Sequence, residues 1–186
     1  MENLSDWILK TIREDEKKGI MSGWLEEKRF VLLPIMARSI QHLISGRSII
    51  VLTDNQFEWC GNYILTHINR PHAGRPFFPI VKMEHLDKMI DLGAKENGVQ
   101  GFKLIYNMLD MMYGHYIFWY VGKKNARADF AMGKGDGLYW ILDEIVDDAF
   151  GLSSTDEKLD YKLLGLVKLF DRAILEAMLN RISLEI

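Results

Sequence analysis

Three carboxylates, Asp54, Glu84 and Asp143, each follow a short run rich in β-branched or aromatic residues. In an open parallel sheet such positions lie beyond the carboxyl ends of the strands, where ligands bind. Converging there, they could hold Mg²⁺ through hard oxygen ligands and support phosphoryl hydrolysis. No D-x-D or H-x-H spacing accompanies them, and strand-end acids serve equally as solvated helix caps, so no metal or cofactor is assigned. The sequence GKGDG, Gly133–Gly137, has the glycines of a phosphate loop but precedes a strand and lacks G-x-x-x-x-G-K-[ST], which makes it a turn. His42, His67, His72, His85 and His115 are scattered without metal-ligand spacing. Cys60, the lone cysteine, falls on the apolar face of a helix with no activating neighbour, so it reads as a structural thiol; no catalytic residue is assigned.

The strand-to-helix junction after Ser48–Leu52 carries the sharpest chemical signal. Nucleotide and sugar-phosphate proteins place glycines there, because free N–H groups at the helix start must reach phosphate oxygens. This chain has Thr53, Asp54, Asn55 and Gln56 instead. Asn55 is placed to cap the following helix, with Glu58 reaching back in a variant of the capping box. Asp54 and Glu58 then put the chain's own negative charge at the positive end of the helix dipole and repel an arriving anion. The same capping would serve helix stability alone.

The elements that position these residues follow from periodicity. Leu4, Trp7, Ile8, Leu9 and Ile12 form one side of a first amphipathic helix that ends near Gly19. A second helix spans about Trp24–Ser45, with Leu25, Val31, Leu32, Ile35, Met36, Ile40, Leu43 and Ile44 mostly inward; Pro34 should kink or divide it. After the helix Phe57–Asn69 and the loop NRPHAGRP, Phe77–Met83 reads as a strand, with Pro79 favouring an edge. His85–Tyr113 reads as a helical hairpin interrupted near Gly93 and Gly98, with Phe102, Ile105, Met108, Leu109 and Met112 on one face. His115–Gly122 is apolar on both faces, a fully covered strand. KKNARADFAMGKGDG reads as a polar loop, Gly137–Glu144 as a strand, and the segment from Ala149 as a fifth. Ser154 and Glu157 form a capping box for a last helix through Leu159, Leu163, Val167, Phe170, Ile174 and Met178. Strands alternating with helices imply an α/β chain, a three-layer α/β/α sandwich around a five-stranded parallel sheet.

Composition narrows the function. The 186 residues suit one domain, residues 1–186, and 48% hydrophobic with 26% charged residues is ordinary globular composition. A formal net charge of −3 argues against holding nucleic acid by bulk electrostatics. The acidic start and the lack of an apolar core argue against a signal peptide, and no run approaches a membrane span, so a cytoplasmic protein is expected. Asp143, Glu144, Asp147, Asp148, Asp156, Glu157 and Asp160 lie close in sequence against Lys158, a candidate acidic surface for steering a partner. Trp7 and Trp24 lie outside the obvious sheet core, where tryptophan commonly anchors a contact.

The segments WLEEKR (Trp24–Arg29), LP at Leu33 and Pro34, SIIVLTD (Ser48–Asp54) and KLLGLVKLFDRAI (Lys162–Ile174), with DWILKTIR near the start, resemble the HobA family. That resemblance implies a fold like the sugar isomerase (SIS) domain and kinship with the DiaA adaptor. It also implies a homotetramer that binds the N-terminal domain of the replication initiator DnaA and promotes its assembly at the chromosomal origin, without enzymatic activity. DnaA, and not this chain, would then touch DNA. Trp24, Glu27 and Arg29 of the family-like helix and Asp143, Asp147 and Asp148 of the acidic run are the candidate partner-binding residues. Trp7 and Ile8 in the N-terminal helices, residues 1–45, are the candidates for subunit contact. The rival readings are a sugar-phosphate-binding enzyme or sensor of SIS type and a Mg²⁺-dependent hydrolase.

Overall fold

Strand-forming and amphipathic runs alternate along the chain as β1 (Glu2–Asn3), α1 (Leu4–Lys17), α2 (Leu25–Ile44), β2 (Ser48–Thr53), a 3₁₀ turn (Asn55–Phe57), α3 (Glu58–Ile68), β3 (Ile80–Val81), α4 (Leu86–Glu96), α5 (Val99–Tyr113), β4 (Tyr116–Lys123), α6 (Ala126–Gly133), β5 (Gly137–Leu142), β6 (Phe150–Leu152), α7 (Leu159–Met178) and β7 (Ile182–Ser183). The computed structural model describes residues 1–71, 74–96 and 98–185; His72 with Ala73, Asn97 and Ile186 lie outside the described residues.

β2 to β6 form a five-stranded parallel sheet in the order β3-β2-β4-β5-β6. β2 and β4 pair from Ser48 opposite Tyr116 to Thr53 opposite Val121. The order reverses between them, because β3 turns to one side of β2 and every later strand goes to the other. Side chains alternate faces along a strand, and each face has its own core. Ile49, Val51, Trp119, Val121, Leu138 and Trp140 pack under α1, α2, α3 and α7, with Trp119 edge-on to Trp140 at 5.1 Å and to Phe170 at 4.9 Å. Ile50, Leu52, Phe118, Tyr120, Tyr139 and Ile141 pack under α4, α5 and α6 around Phe130. β4, central and buried from Tyr116 to Gly122, is therefore apolar throughout. No described helix is long and apolar enough to cross a membrane.

Several elements differ from the sequence reading. Pro34 does not divide α2, which continues from Leu25 to Ile44; the hydrogen bond lost there frees the carbonyl of Phe30, a residue 63% exposed. Val31 and Ile44 face outward, at 53% and 41% exposure. β3 contracts to Ile80–Val81 at the sheet edge. Gly93 does not interrupt α4. It is the surface against which Gly101 of α5 closes, and a Cβ at Gly101 would stand 2.7 Å from the Gly93 carbonyl oxygen. Met112 is exposed while Ile105 and Leu109 point inward. The supposed polar loop holds α6: Asn125 Oδ1 accepts from the amides of Arg127 and Ala128, and Ala128, Phe130 and Ala131 are fully buried. The Ser154–Glu157 capping box does not form, and α7 starts only at Leu159, because Ser154 is turned toward Asp143.

The Gly93–Gly101 approach yields the first prediction. Gly101→Val must force α4 and α5 apart and should cost about 1–3 kcal/mol, as overpacking does; thermal unfolding of the variant against the parent measures it.

Candidate partner-binding surface

The crevice outside the reversal between β2 and β4 is where an open parallel sheet usually takes its ligand. Here Asp54 occupies it. One carboxylate oxygen accepts from the amides of Gln56 at 3.0 Å and Phe57 at 3.3 Å; the other accepts from the amide of Lys123, at the end of β4, at 2.8 Å. Gly122 makes the approach possible, since a Cβ there would lie 2.6 Å from that second oxygen. Asp54, and not Asn55, is therefore the cap, and Glu58 pairs with Lys82 at 3.1 Å instead of reaching back. Asn55 has another role. Its side-chain oxygen accepts from Arg127, which also donates to the Thr53 carbonyl, both at 3.0 Å. Arg127 is 7% exposed and is itself gripped by both oxygens of Asp91, at 2.6 and 3.0 Å, with Asp87 at 3.5 Å.

The other strand-end acids do not join Asp54. Among the described residues no three His, Cys, Asp or Glu side chains form a group able to hold a metal. Glu84 is exposed beside His85. Asp143, in the left-handed region at φ 65, accepts from the Ser154 amide at 2.7 Å and its hydroxyl at 2.5 Å, and pairs with Lys123 Nζ at 2.9 Å. The bonds from Ser154, then the pairing with Lys123, hold its carboxyl down at about 2. Cys60 is fully buried, and burial pushes its thiol up to about 12. His42 faces the Ser48 carbonyl at 3.0 Å and His67 lies 3.6 Å from Asp171.

On the flank of the sheet, the β5–β6 loop and α2 form a groove of about 790 Å³. Lys28, Val31, Pro34 and Ile35 make one wall; Asp143 to Ser153 make the other. Lys28 ties the walls together, donating to the Gly151 carbonyl at 3.2 Å. Ile145 stands fully exposed among Glu144, Asp147 and Asp148. Asp148, at φ 56, is 3.5 Å from Arg38, while Asp147 is exposed. Asp143, Asp147 and Asp148 thus share one groove, although Asp143 is engaged within the chain.

The other candidates divide. Trp24, half-buried, lies 6.2 Å from the Phe150 ring with Lys162 Nζ 4.7 Å over it. Glu27 and Arg29 line a separate concavity with Trp24 at the start of α2, Arg29 stacking on Phe30 at 4.1 Å. Ile8 is fully buried in the chain's own core, so it is removed from the subunit-contact candidates; Trp7 is partly buried against that core. Ile145, Val31 and Lys28, none of them a sequence candidate, also line the groove. Counting Val31 inward hid the groove wall, and reading the acidic run for charge alone hid the exposed isoleucine inside it.

A family profile described as "HobA: DNA replication regulator" matches residues 1–184. The chain belongs to the HobA family. It is 31% identical over 188 residues, 99% of this chain and 100% of the relative, to the DNA replication regulator protein HobA of Helicobacter pylori (strain ATCC 700392 / 26695). It is similar to a crystal structure of a HobA–DnaA (domain I-II) complex from Helicobacter pylori, with TM-score 0.74 and 29% identity, covering 98% of this chain and 99% of that one. The structure of HobA alone from that organism matches with the same TM-score and coverage. The segments that carried the HobA resemblance fall in α1, α2 and α7, which pack on one face of the sheet, and in β2 with Asp54.

The geometry at Asp143 makes a pH prediction. A carboxylate whose folded pKa is depressed stabilises above its unfolded value, about 3.9, and loses that contribution as pH falls through the folded value. The Ser154 amide resonance, followed by NMR from pH 6 downward, should move with a midpoint near 2. A midpoint near 4 would mean that the Asp143–Ser154 bonds are absent in solution.

Proposed function

We propose that this chain is a non-enzymatic adaptor that binds the N-terminal domain of DnaA and, as an oligomer, gathers DnaA molecules for assembly at the origin. The observation that carries this reading is the likeness, over almost the whole chain, to HobA crystallised with DnaA domain I-II. The contact surface is the groove between α2 and the β5–β6 loop. An exposed isoleucine that shares its groove with Glu144, Asp147 and Asp148 offers an apolar anchor with a charged rim, the usual anatomy of a specific interface. Trp24, Glu27 and Arg29 extend it along α2. The acids speed encounter with a complementary partner, and the buried apolar contact sets the lifetime of the complex. Closure of the sheet crevice by Asp54 favours this reading over a sugar-phosphate enzyme or sensor, whose ligand would need the amides that Asp54 holds.

Oligomerisation supplies the rest by avidity: equivalent sites on one particle raise the local concentration of DnaA, so modest contacts act collectively. With Ile8 enclosed, the assembly surface is assigned to the α4–α5 hairpin, where Leu92, Leu104, Met111 and Met112 are each more than half exposed.

Size-exclusion chromatography with light scattering, alone and with the DnaA N-terminal domain, tests both parts. The parent should run as a multimer, the expected size being a tetramer, and co-elute with that domain. Ile145→Asp with Asp147→Lys should keep the multimer but weaken binding about tenfold or more, the loss of roughly 1.4 kcal/mol. Leu104→Glu with Met111→Glu should yield a smaller particle. A monomeric parent that ignores the DnaA domain would defeat the adaptor reading.

A further inference from the structure

Gly165 lies inside the 20-residue helix α7, where glycine weakens a helix relative to alanine. Other glycines have a reason within the chain: Gly101 admits α4, and Gly122 admits Asp54. At Gly165 an added Cβ would meet nothing within 4 Å, and no positive φ is required. The chain's own packing therefore does not call for a glycine. Gly165 opens onto a crevice of about 710 Å³ between α7, α1 and the turn at residues 19–22.

We infer that this crevice is a second docking surface, built for an amphipathic α-helix with acidic flanks. It is distinct from the groove assigned to DnaA and shares with that surface only Trp24. Tyr161, Leu164, Gly165, Lys168 and Arg172 recur at helical spacing along one wall, a stripe about 16 Å long at 1.5 Å per residue. Ile20 and Met21, 52% and 37% exposed, stand on the opposite wall. That wall is preformed, since the Ser22 hydroxyl donates to the Ile12 carbonyl at 2.8 Å and its amide to Glu16 at 2.5 Å. A helix laid between the two presents its apolar i, i+3, i+4 and i+7 side chains to such walls. The missing side chain at Gly165 lets its backbone come close.

The charges specify the flanks. The acids in the crevice are neutralised from within: Asp15 by Arg172, and Asp171 by Arg75, with Arg70 at 3.6 Å. The Lys158 and Lys168 ammonium groups form no ion pair within 4.0 Å among the described residues, although the Lys158 amide donates to Asp156 at 2.9 Å. In a chain of net charge −3 this rim is locally cationic, complementary to Glu or Asp beside an apolar stripe.

The test uses the full chain and a fluorescein-labelled helical peptide of about 18 residues, with leucine on one face and glutamate elsewhere. Fluorescence anisotropy should show saturable binding, kept by Ile145→Asp and weakened about tenfold by Gly165→Leu or by Lys158→Glu with Lys168→Glu. Gly165→Ala should raise Tm by about 2–4 °C while weakening the peptide, a split that a purely structural glycine would not give. Absence of saturable binding, equal binding of a peptide with lysine for glutamate, or indifference to Gly165→Leu would overturn the inference. So would displacement of the peptide by laurate, which would make the crevice a site for a small amphiphile. Conversion of the parent to a smaller particle by Gly165→Leu would make it a subunit contact instead, and would equally overturn it.

Discussion

The Asp54 carboxylate, wedged between the amides that open the 3₁₀ turn and the amide that ends β4, is the constraint around which the ligand face of this sheet is organised. A parallel sheet presents its free strand ends and helix N-termini on one side, and that side is ordinarily the ligand side. In this chain the ends are tied to one another. Asp54 joins β2 to the Lys123 amide of β4; the Lys123 ammonium reaches Asp143 after β5; Asp143 receives the Ser154 amide and hydroxyl beyond β6. Arg127 fixes the same turn from the α6 side through Thr53 and Asn55. Donors that would elsewhere greet a phosphate are satisfied internally.

The surfaces proposed for recognition lie on the flanks, where the cores do not need the side chains. The α2 groove and the α7 crevice carry opposite charge, acidic beside Ile145 and cationic beside Lys158 and Lys168. The two proposed surfaces have Trp24 in common and otherwise draw on different residues. Neither surface interrupts the apolar layers under it. Val31 and Ile145 stand exposed at the rim of the groove, while Ile35 and Phe150, at 2% and 1% exposure, close its floor into the core.

Much of the sandwich was legible because it rests on burial. The run Tyr116–Gly122 could only be a strand covered on both faces, and the amphipathic α1 and α7 had to cover it. The sign of the junction was legible too, as acids stand where a phosphate loop has glycines. Its geometry was not: whether Asp54 or Asn55 caps the turn depends on Gly122 and the Lys123 amide, far away in sequence. Tertiary pairing also decided Ser154, whose capping-box spacing was overridden by Asp143. α6 was hidden by its charged neighbours, although Asn125 ahead of Ala126 and Ala128 was a cap signal that could have been read. The groove needed α2 and the β5–β6 loop together, and no periodicity in either one reports that they adjoin. Trp24 showed itself by type, while Ile145 became a candidate only through its exposure.

The closed crevice can be probed directly with ¹⁵N-labelled protein titrated with sulfate and then glucosamine 6-phosphate, following the amides of Gln56, Phe57 and Lys123. If Asp54 holds those donors, their resonances stay in place while either anion is raised to millimolar concentration. Saturable shifts at those amides would mean that the carboxylate yields to a phosphate, and that this sheet keeps a ligand site of its own.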